Sequence, residues 1–235
     1  HGSGHIRRFH VIFHKGGIAM SGLIYRDIIT QIRRSFLGNI IPDILFFLMF
    51  LILLGKYKFS PLSIVLLYLP TQTSIIPITL KEADSSYKGR MLSMTFPFSK
   101  RELVLSRYLS CCLYQLYGLG VMILFLALHF LIYRTYSPVV YLGIFAGGLL
   151  ITLFMTLINV MVSFVGNMNI STIFYIIFVV LAAAAYVLYL FLDIDLLDLL
   201  GLPLPLLWGI AVGIVAVTGI LSYNVSMNAF ARSCR

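Results

Sequence analysis

The sequence predicts an all-α membrane protein with six transmembrane helices, and three observations carry that expectation. Of its 235 residues, 60% are hydrophobic and only 11% charged, with a mean hydropathy of +1.01. A water-facing globular domain carries about 25% charged residues, so this chain cannot cover a hydrated surface, and the same numbers exclude disorder. Its apolar residues gather in six runs near the length of about 20 residues that a spanning helix needs. Its basic residues cluster between alternate runs, as loops on the cytoplasmic side do.

Residues 1–19 stand apart. Four of the five histidines, His1, His5, His10 and His14, lie there among Gly2, Gly4, Gly16 and Gly17. Their uneven spacing argues against a metal site, and the segment reads as vector-derived or disordered ahead of Met20. The expected domain is residues 20–235. A basic region followed by an apolar core and a small-residue cleavage site is missing, so no signal peptide is expected.

From Ser21 to Gly38, Ile24, Ile28, Ile32 and Phe36 recur at spacing four, with Arg26, Arg33 and Arg34 on other faces. That period predicts an N-terminal amphipathic helix lying on the cytoplasmic membrane surface. Six spans follow, at about residues 40–54, 61–80, 108–133, 138–165, 170–192 and 202–223. The first is short, with Pro42 and Asp43 at its entrance, where the helix dipole favours an acid. Residues 135–192 contain no Asp, Glu, Lys or Arg, so the turn between the fourth and fifth spans falls at Gly166-Asn167-Met168-Asn169.

Orientation follows from Lys and Arg. Arg7, Arg8, Lys15, Arg26, Arg33 and Arg34 precede the first span; Lys81, Lys88, Arg90, Lys100, Arg101 and Arg107 separate the second from the third; Arg232 and Arg235 end the chain. Only Lys56, Lys58 and Arg134 fall on the other side, a tally of 14 against 3 that puts both termini in the cytoplasm. Topology accounts for the net charge of +9, and no nucleic-acid partner is expected.

Catalytic chemistry is not expected. His129 stands alone near the outer end of the third span, and GxSxG, HExxH, Cys–His and GxxxxGK[ST] patterns are missing. Cys111 and Cys112 are adjacent and Cys234 is remote, which offers neither a disulfide framework nor a metal spacing. No metal or cofactor is expected on this chain. If ATP drives it, ATP-Mg is bound by another subunit.

Two stretches are candidates for function. In the second span, Tyr68-Leu69-Pro70-Thr71-Gln72-Thr73-Ser74 and then Pro77 put two prolines and four hydrogen-bonding side chains at mid-membrane. Proline frees carbonyls that protein or water must satisfy. Thr71, Gln72 and Thr73 either line a translocation path or hydrogen-bond neighbouring helices. The second stretch is the polar segment Lys81 to Arg107. Ser99 followed by Glu102 is a capping box, so a helix should begin at Lys100 and run into the third span. Before it, residues 84–95 predict a short helix that exposes Met91, Leu92 and Met94 among charges, as a contact surface would.

This segment, with Lys81-Glu82, Gly89, Met91-Leu92, Phe96-Pro97-Phe98-Ser99-Lys100-Arg101-Glu102-Leu103 and Ser106-Arg107-Tyr108, resembles the loop after the second span of type-2 ATP-binding-cassette exporter permeases. In that family an acidic residue precedes a short coupling helix, and a Pro-x-Ser-Lys/Arg-x-Glu stretch leads into the third helix. Ser85-Ser86-Tyr87-Lys88 departs from the family's more regular Gly-Thr-Leu run. The small size and lack of a large outer domain are similar to bacterial permeases that export amphipathic peptides such as phenol-soluble modulins. The resemblance implies a permease in a bacterial plasma membrane that dimerises with a second copy or paralogue and engages two ABC ATPase subunits. Glu82, Asp84, Met91, Leu92, Met94 and Phe96 would couple to those subunits. The substrate would be an amphipathic peptide or lipophilic molecule, moved between protomers amid membrane lipid. The alternative is a membrane-embedded immunity or scaffold protein that binds a peptide without transport; an intramembrane enzyme lacks its residues.

Overall fold

The computed structural model describes residues 22–31, 43–86, 99–191 and 204–233, all built from helices and short turns, with no strand among them. In chain order these are α1 (residues 22–31), α2 (Asp43–Ile52), α3 (residues 59–86), α4 (Lys100–Tyr133), α5 (Pro138–Val165), α6 (Met168–Phe191) and α7 (Leu204–Ser233). The expectations for residues 1–19 and for Met91, Leu92, Met94 and Phe96 lie outside the described residues.

Among the described residues five helices, α3 to α7, are long and apolar enough to cross a membrane. The first expected span is represented by α2, whose ten residues extend about 15 Å, half of a hydrocarbon core of about 30 Å. The fifth span begins at Met168 and the sixth reaches Ser233, ten residues past the expected end. Nothing in the last turns of α7 breaks a helix, and Arg232 suits the negative end of its dipole.

The helix ends follow local chemistry. Ser99 accepts a 3.3 Å bond from the Glu102 amide, and the Glu102 carboxylate accepts a 2.8 Å bond from the Ser99 amide. This is the expected capping box, and α4 starts at Lys100 as the sequence requires. At the far end Arg134 closes α4 in the left-handed region, φ 48° and ψ 38°. Pro138 occupies the first turn of α5, where its missing amide is not needed. Between α5 and α6, Lys81 of α3 donates to the Gly166 carbonyl and, at 3.1 Å, to Ser171 Oγ, clamping that turn.

Proline breaks α3 into pieces: Phe59–Leu62, a π-helical turn Ser63–Tyr68, Leu69–Ser74 and Ile76–Ser86. Pro70 has no amide for the carbonyl of Leu66 and Pro77 none for that of Thr73, so the ladder is re-registered before one and interrupted at Ile75 before the other. Hydroxyls bond other carbonyls of the same stretch: Thr71 donates to Tyr68 O (2.7 Å), Thr73 to Leu69 O (2.9 Å) and Ser74 to Thr71 O (3.2 Å). Neighbouring helices add two more donors. Asn159 of α5 donates to Ser74 O at 2.9 Å, and Tyr175 of α6 to Thr71 O at 2.9 Å.

The core lies where α2, α3, α4 and α5 meet, around Ile64, Val65, Leu69, Met122, Phe125 and Ile144. Gly148 makes the α3–α5 contact possible, because a Cβ there would sit 2.5 Å from Val65 Cγ1 and 2.7 Å from Val65 O. Gln115 of α4 donates to Thr152 O (3.2 Å) and to Thr156, and Tyr108 bonds Ser222 (2.6 Å) and Ser226 (3.0 Å) of α7. His129 is a packing residue, fully buried, with Nδ1 2.7 Å from the Tyr141 hydroxyl.

Two expectations need correction. The buried face of α1 is Leu23, Asp27 and Gln31, one residue out of phase with the expected stripe, while Ile24 and Ile28 are only half-buried. The polar face turns inward because Asp27 has partners there. The second expected span does not end at residue 80 either: α3 continues to Ser86, into the polar segment, while α4 begins at Lys100 as expected.

Candidate functional site

Two features at successive levels of the bundle organise the candidate site. The lower is a cluster of ions. Asp27 on α1 is nearly buried, and its Oδ1 accepts a 2.9 Å bond from Arg26 Nη2. Its Oδ2 lies 3.2 Å from Arg107 Nη1 on α4, an ion pair without hydrogen-bond alignment, and accepts a 3.2 Å bond from Ser110 Oγ. Asp84, near the end of α3, accepts from Arg107 Nη2 and lies 3.4 Å from Arg26 Nη2. Two arginines and two aspartates thus tie three helices, and each charge has an opposite partner as burial demands. Arg107 and Asp84 flank residues 87–98, so the cluster braces the two helices that lead into and out of that segment.

Above it lies a cleft of about 380 Å³ between α1, α2, α3 and α4. Such a volume is at the small end of ligand pockets, about 300–1,000 Å³. From α3 come Tyr68, Gln72 and Thr73; from α4, Leu113, Tyr114, Tyr117 and Gly118; from α2, Asp43 and Phe47; from α1, Ile28 and Gln31. Its depth is fixed by Tyr117, midway along α4. Gly118 lets α4 approach α3, since a Cβ there would meet Thr73 Cγ2 at 2.4 Å. Hydrogen bonds set the walls. Tyr68 donates its hydroxyl to Asp43, Tyr114 donates to Ile28 O at 2.9 Å, and Thr79 donates to Gln31 Oε1 at 3.0 Å. The Tyr68 ring stacks on Phe46 with centroids 4.2 Å apart.

The three residues singled out in the second span separate here. Gln72 is exposed into the cleft and Thr73 lines it while its hydroxyl serves its own helix. Thr71 does not line the cleft; its hydroxyl bonds Tyr68 O and its carbonyl serves Tyr175. Glu82 is exposed at the end of α3, and Asp84 is engaged by the two arginines. Sequence reasoning missed Asp27, Gln31, Tyr114 and Tyr117. The first two were signalled by the Leu23, Asp27, Gln31 spacing, and Tyr114 and Tyr117 by their spacing of three beside Gly118. Among the described residues no group of three or more His, Cys, Asp or Glu side chains could hold a metal ion.

Comparison with known sequences gives one family. The sequence model of the ABC-2 family transporter proteins matches residues 22–231. No curated protein and no solved structure matches.

Proposed function

The chain belongs to the ABC-2 transporter family and is a multi-pass membrane permease of that type, and from this premise we propose that it is the membrane subunit of an ATP-driven exporter whose substrate path includes the cleft between α2, α3 and α4. The observation that carries the reading is the placement of Gln72. It is a polar side chain on a proline-broken helix, exposed into a cleft at the middle of an apolar bundle. Discontinuous helices at membrane depth persist where they line a cavity.

In this reading the chain hydrolyses nothing. Two separate ATPase subunits bind ATP-Mg and dock on residues 87–98 through Met91, Leu92, Met94 and Phe96, with Glu82 steering the approach. The ion cluster would then carry movement of that segment to α1, α3 and α4 together. The cleft is open where Gln72, Leu113 and Tyr117 are exposed, and a second permease copy or paralogue on that side would complete the path. Six spans, the first at about residues 40–54, would put both termini in the cytoplasm of a bacterial cell, in keeping with 14 basic residues against 3. An amphipathic peptide suits a path with both tyrosine and aliphatic walls.

Gln72→Leu in the permease reconstituted with its ATPase tests the reading. ATP-dependent export should fall at least about tenfold while membrane insertion and ATPase co-purification persist, and Leu92→Asp should instead release the ATPase. Export unchanged by Gln72→Leu would remove the cleft from the path.

A further inference from the structure

Among the described residues, the cleft holds an acid that no base pairs. Asp27 and Asp84 each face arginine. Among those same residues Asp43, of α2, accepts from the Tyr68 hydroxyl and from no Lys, Arg or His. A carboxylate accepts about four hydrogen bonds, so most of its capacity is uncommitted. The sequence expected it at the entrance of the first span. It shares the cleft with Tyr68 and with Tyr117, midway along the 34-residue α4. Ionisable groups at such depth mark binding sites or relays by default, because the bilayer charges several kcal/mol for them.

The walls around the carboxylate say what it receives. Four aromatic rings, Tyr68, Tyr114, Tyr117 and Phe47, line the same space. Aromatic faces carry negative quadrupole charge and attract cations with diffuse, weakly hydrated charge. A small metal ion would need several oxygen ligands, and the lining offers one carboxylate, the amides of Gln31 and Gln72, and scattered hydroxyls, with the Gln31 Oε1 already accepting from Thr79. Leu113, exposed at the rim, is positioned for an apolar body.

We propose that Asp43 and the Tyr68, Tyr114 and Tyr117 rings form a subsite for the cationic head of an amphipathic substrate, an ammonium or similar organic cation whose apolar part extends along the open side of the cleft. The proposal rests on the cleft lying on the substrate path, and it adds the sign of the charge that path accepts. Anions of the same shape are rejected by the uncompensated carboxylate. Tyr68 holds the carboxylate in place through its hydroxyl while its ring offers a face.

Equilibrium binding to the full chain in zwitterionic lipid nanodiscs, without ATPase or ATP, tests this apart from transport. The probes are tetraphenylphosphonium and the shape-matched anion tetraphenylborate. The cation should bind saturably at one site per chain, and the anion should bind no tighter than to empty nanodiscs. Asp43→Asn should weaken the cation at least about tenfold, the scale of one partly desolvated charge contact, and Asp43→Glu should restore most of it. Tyr117→Leu, at an exposed position where folding is little affected, should weaken it several-fold. Competition by a lysine-bearing amphipathic peptide assigns the head to a peptide; cation binding without competition assigns it to a small lipophilic molecule. Equal binding of the anion at the same site, or unchanged cation affinity in both Asp43→Asn and Tyr117→Leu, overturns the proposal. Loss of export in Gln72→Leu alongside either of those results would leave the path standing without its charge preference.

Discussion

Replacing Asp27 by Asn removes one charge from the cluster that joins α1, α3 and α4 while preserving the shape of the side chain. Its consequences can be worked out atom by atom. Arg107 Nη1 loses the carboxylate 3.2 Å away, Arg26 Nη2 loses a 2.9 Å charged bond, and Ser110 is left with a neutral acceptor. Two guanidiniums then share Asp84. Arg26 side-chain exposure is 39%, so water recovers most of what it loses; Arg107 is only 14% exposed and Asp27 5%. Breaking a buried ion pair by removing one partner costs about 3–5 kcal/mol. The surviving Asp84 contact and the acceptor oxygen of Asn reduce that, and we expect about 2–3 kcal/mol. Arg26→Gln is the control: it removes the part-exposed Arg26 contacts to Asp27 (2.9 Å) and Asp84 (3.4 Å) while leaving Arg107 paired with both aspartates, and should cost under about 1 kcal/mol. Equilibrium unfolding of the purified protein in mixed micelles measures both. The double variant Asp27→Asn with Arg107→Gln should lose less than the sum of the singles by at least about 1 kcal/mol. A cost below about 0.5 kcal/mol for Asp27→Asn, or strict additivity in the cycle, would show that the three helices are held by their apolar contacts alone.

Two further substitutions test how α3 is held against α5 and α6. Gly148→Ala forces a Cβ within 2.7 Å of the Val65 carbonyl, which cannot rotate away, so thermal unfolding should show a loss of about 1–3 kcal/mol, whereas Gly143→Ala, with open space around it, should be neutral. Lys81→Met removes the ammonium that clamps Gly166 and Ser171, and hydrogen exchange should rise over residues 166–171 with α4 unaffected; unchanged exchange there would mean the turn holds itself.

The long helices were legible because their signals are local. Ser99 and Glu102 sit three apart and specify the start of α4 by chemistry that needs no tertiary context. Pro138 and Gly166 bracket α5 equally plainly. The α1 stripe was misread for a physical reason: period four fits residues 23, 27 and 31 as well as 24, 28 and 32, and hydrophobicity alone prefers the second set. Asp27 turns inward only because Arg107 and Ser110, some 80 residues away, are there to meet it, and a single sequence does not display that pairing. The polar run 71–74 was correctly singled out, but which of its side chains faces the cleft depends on the helical register. The π turn at Ser63–Tyr68 and the interruption at Ile75 shift that register, so Gln72 and Thr73 face the cavity and Thr71 does not.

The cleft lies beside the stretch where regular helix fails in α3. Asp43 of α2 sits beside Tyr68, the last residue of the π turn in α3, and α4 offers Gly118 just past its middle. Among the described residues α1 and α2 both border the site: Asp27 and Ile28 of α1 meet Arg107 and Tyr114 of α4, and Asp43 and Phe47 of α2 share the cleft with Tyr117. An α3 re-registered by proline and a close α3–α4 approach at Gly118 shape the wall of this cleft of about 380 Å³. Departures from helical regularity in soluble and membrane proteins alike concentrate where function needs space or exposed backbone. Here two departures, the broken α3 and the glycine on α4, converge on the level that holds Asp43, a carboxylate with no basic partner among the described residues. That convergence, rather than any single residue, is what makes this cleft the candidate site.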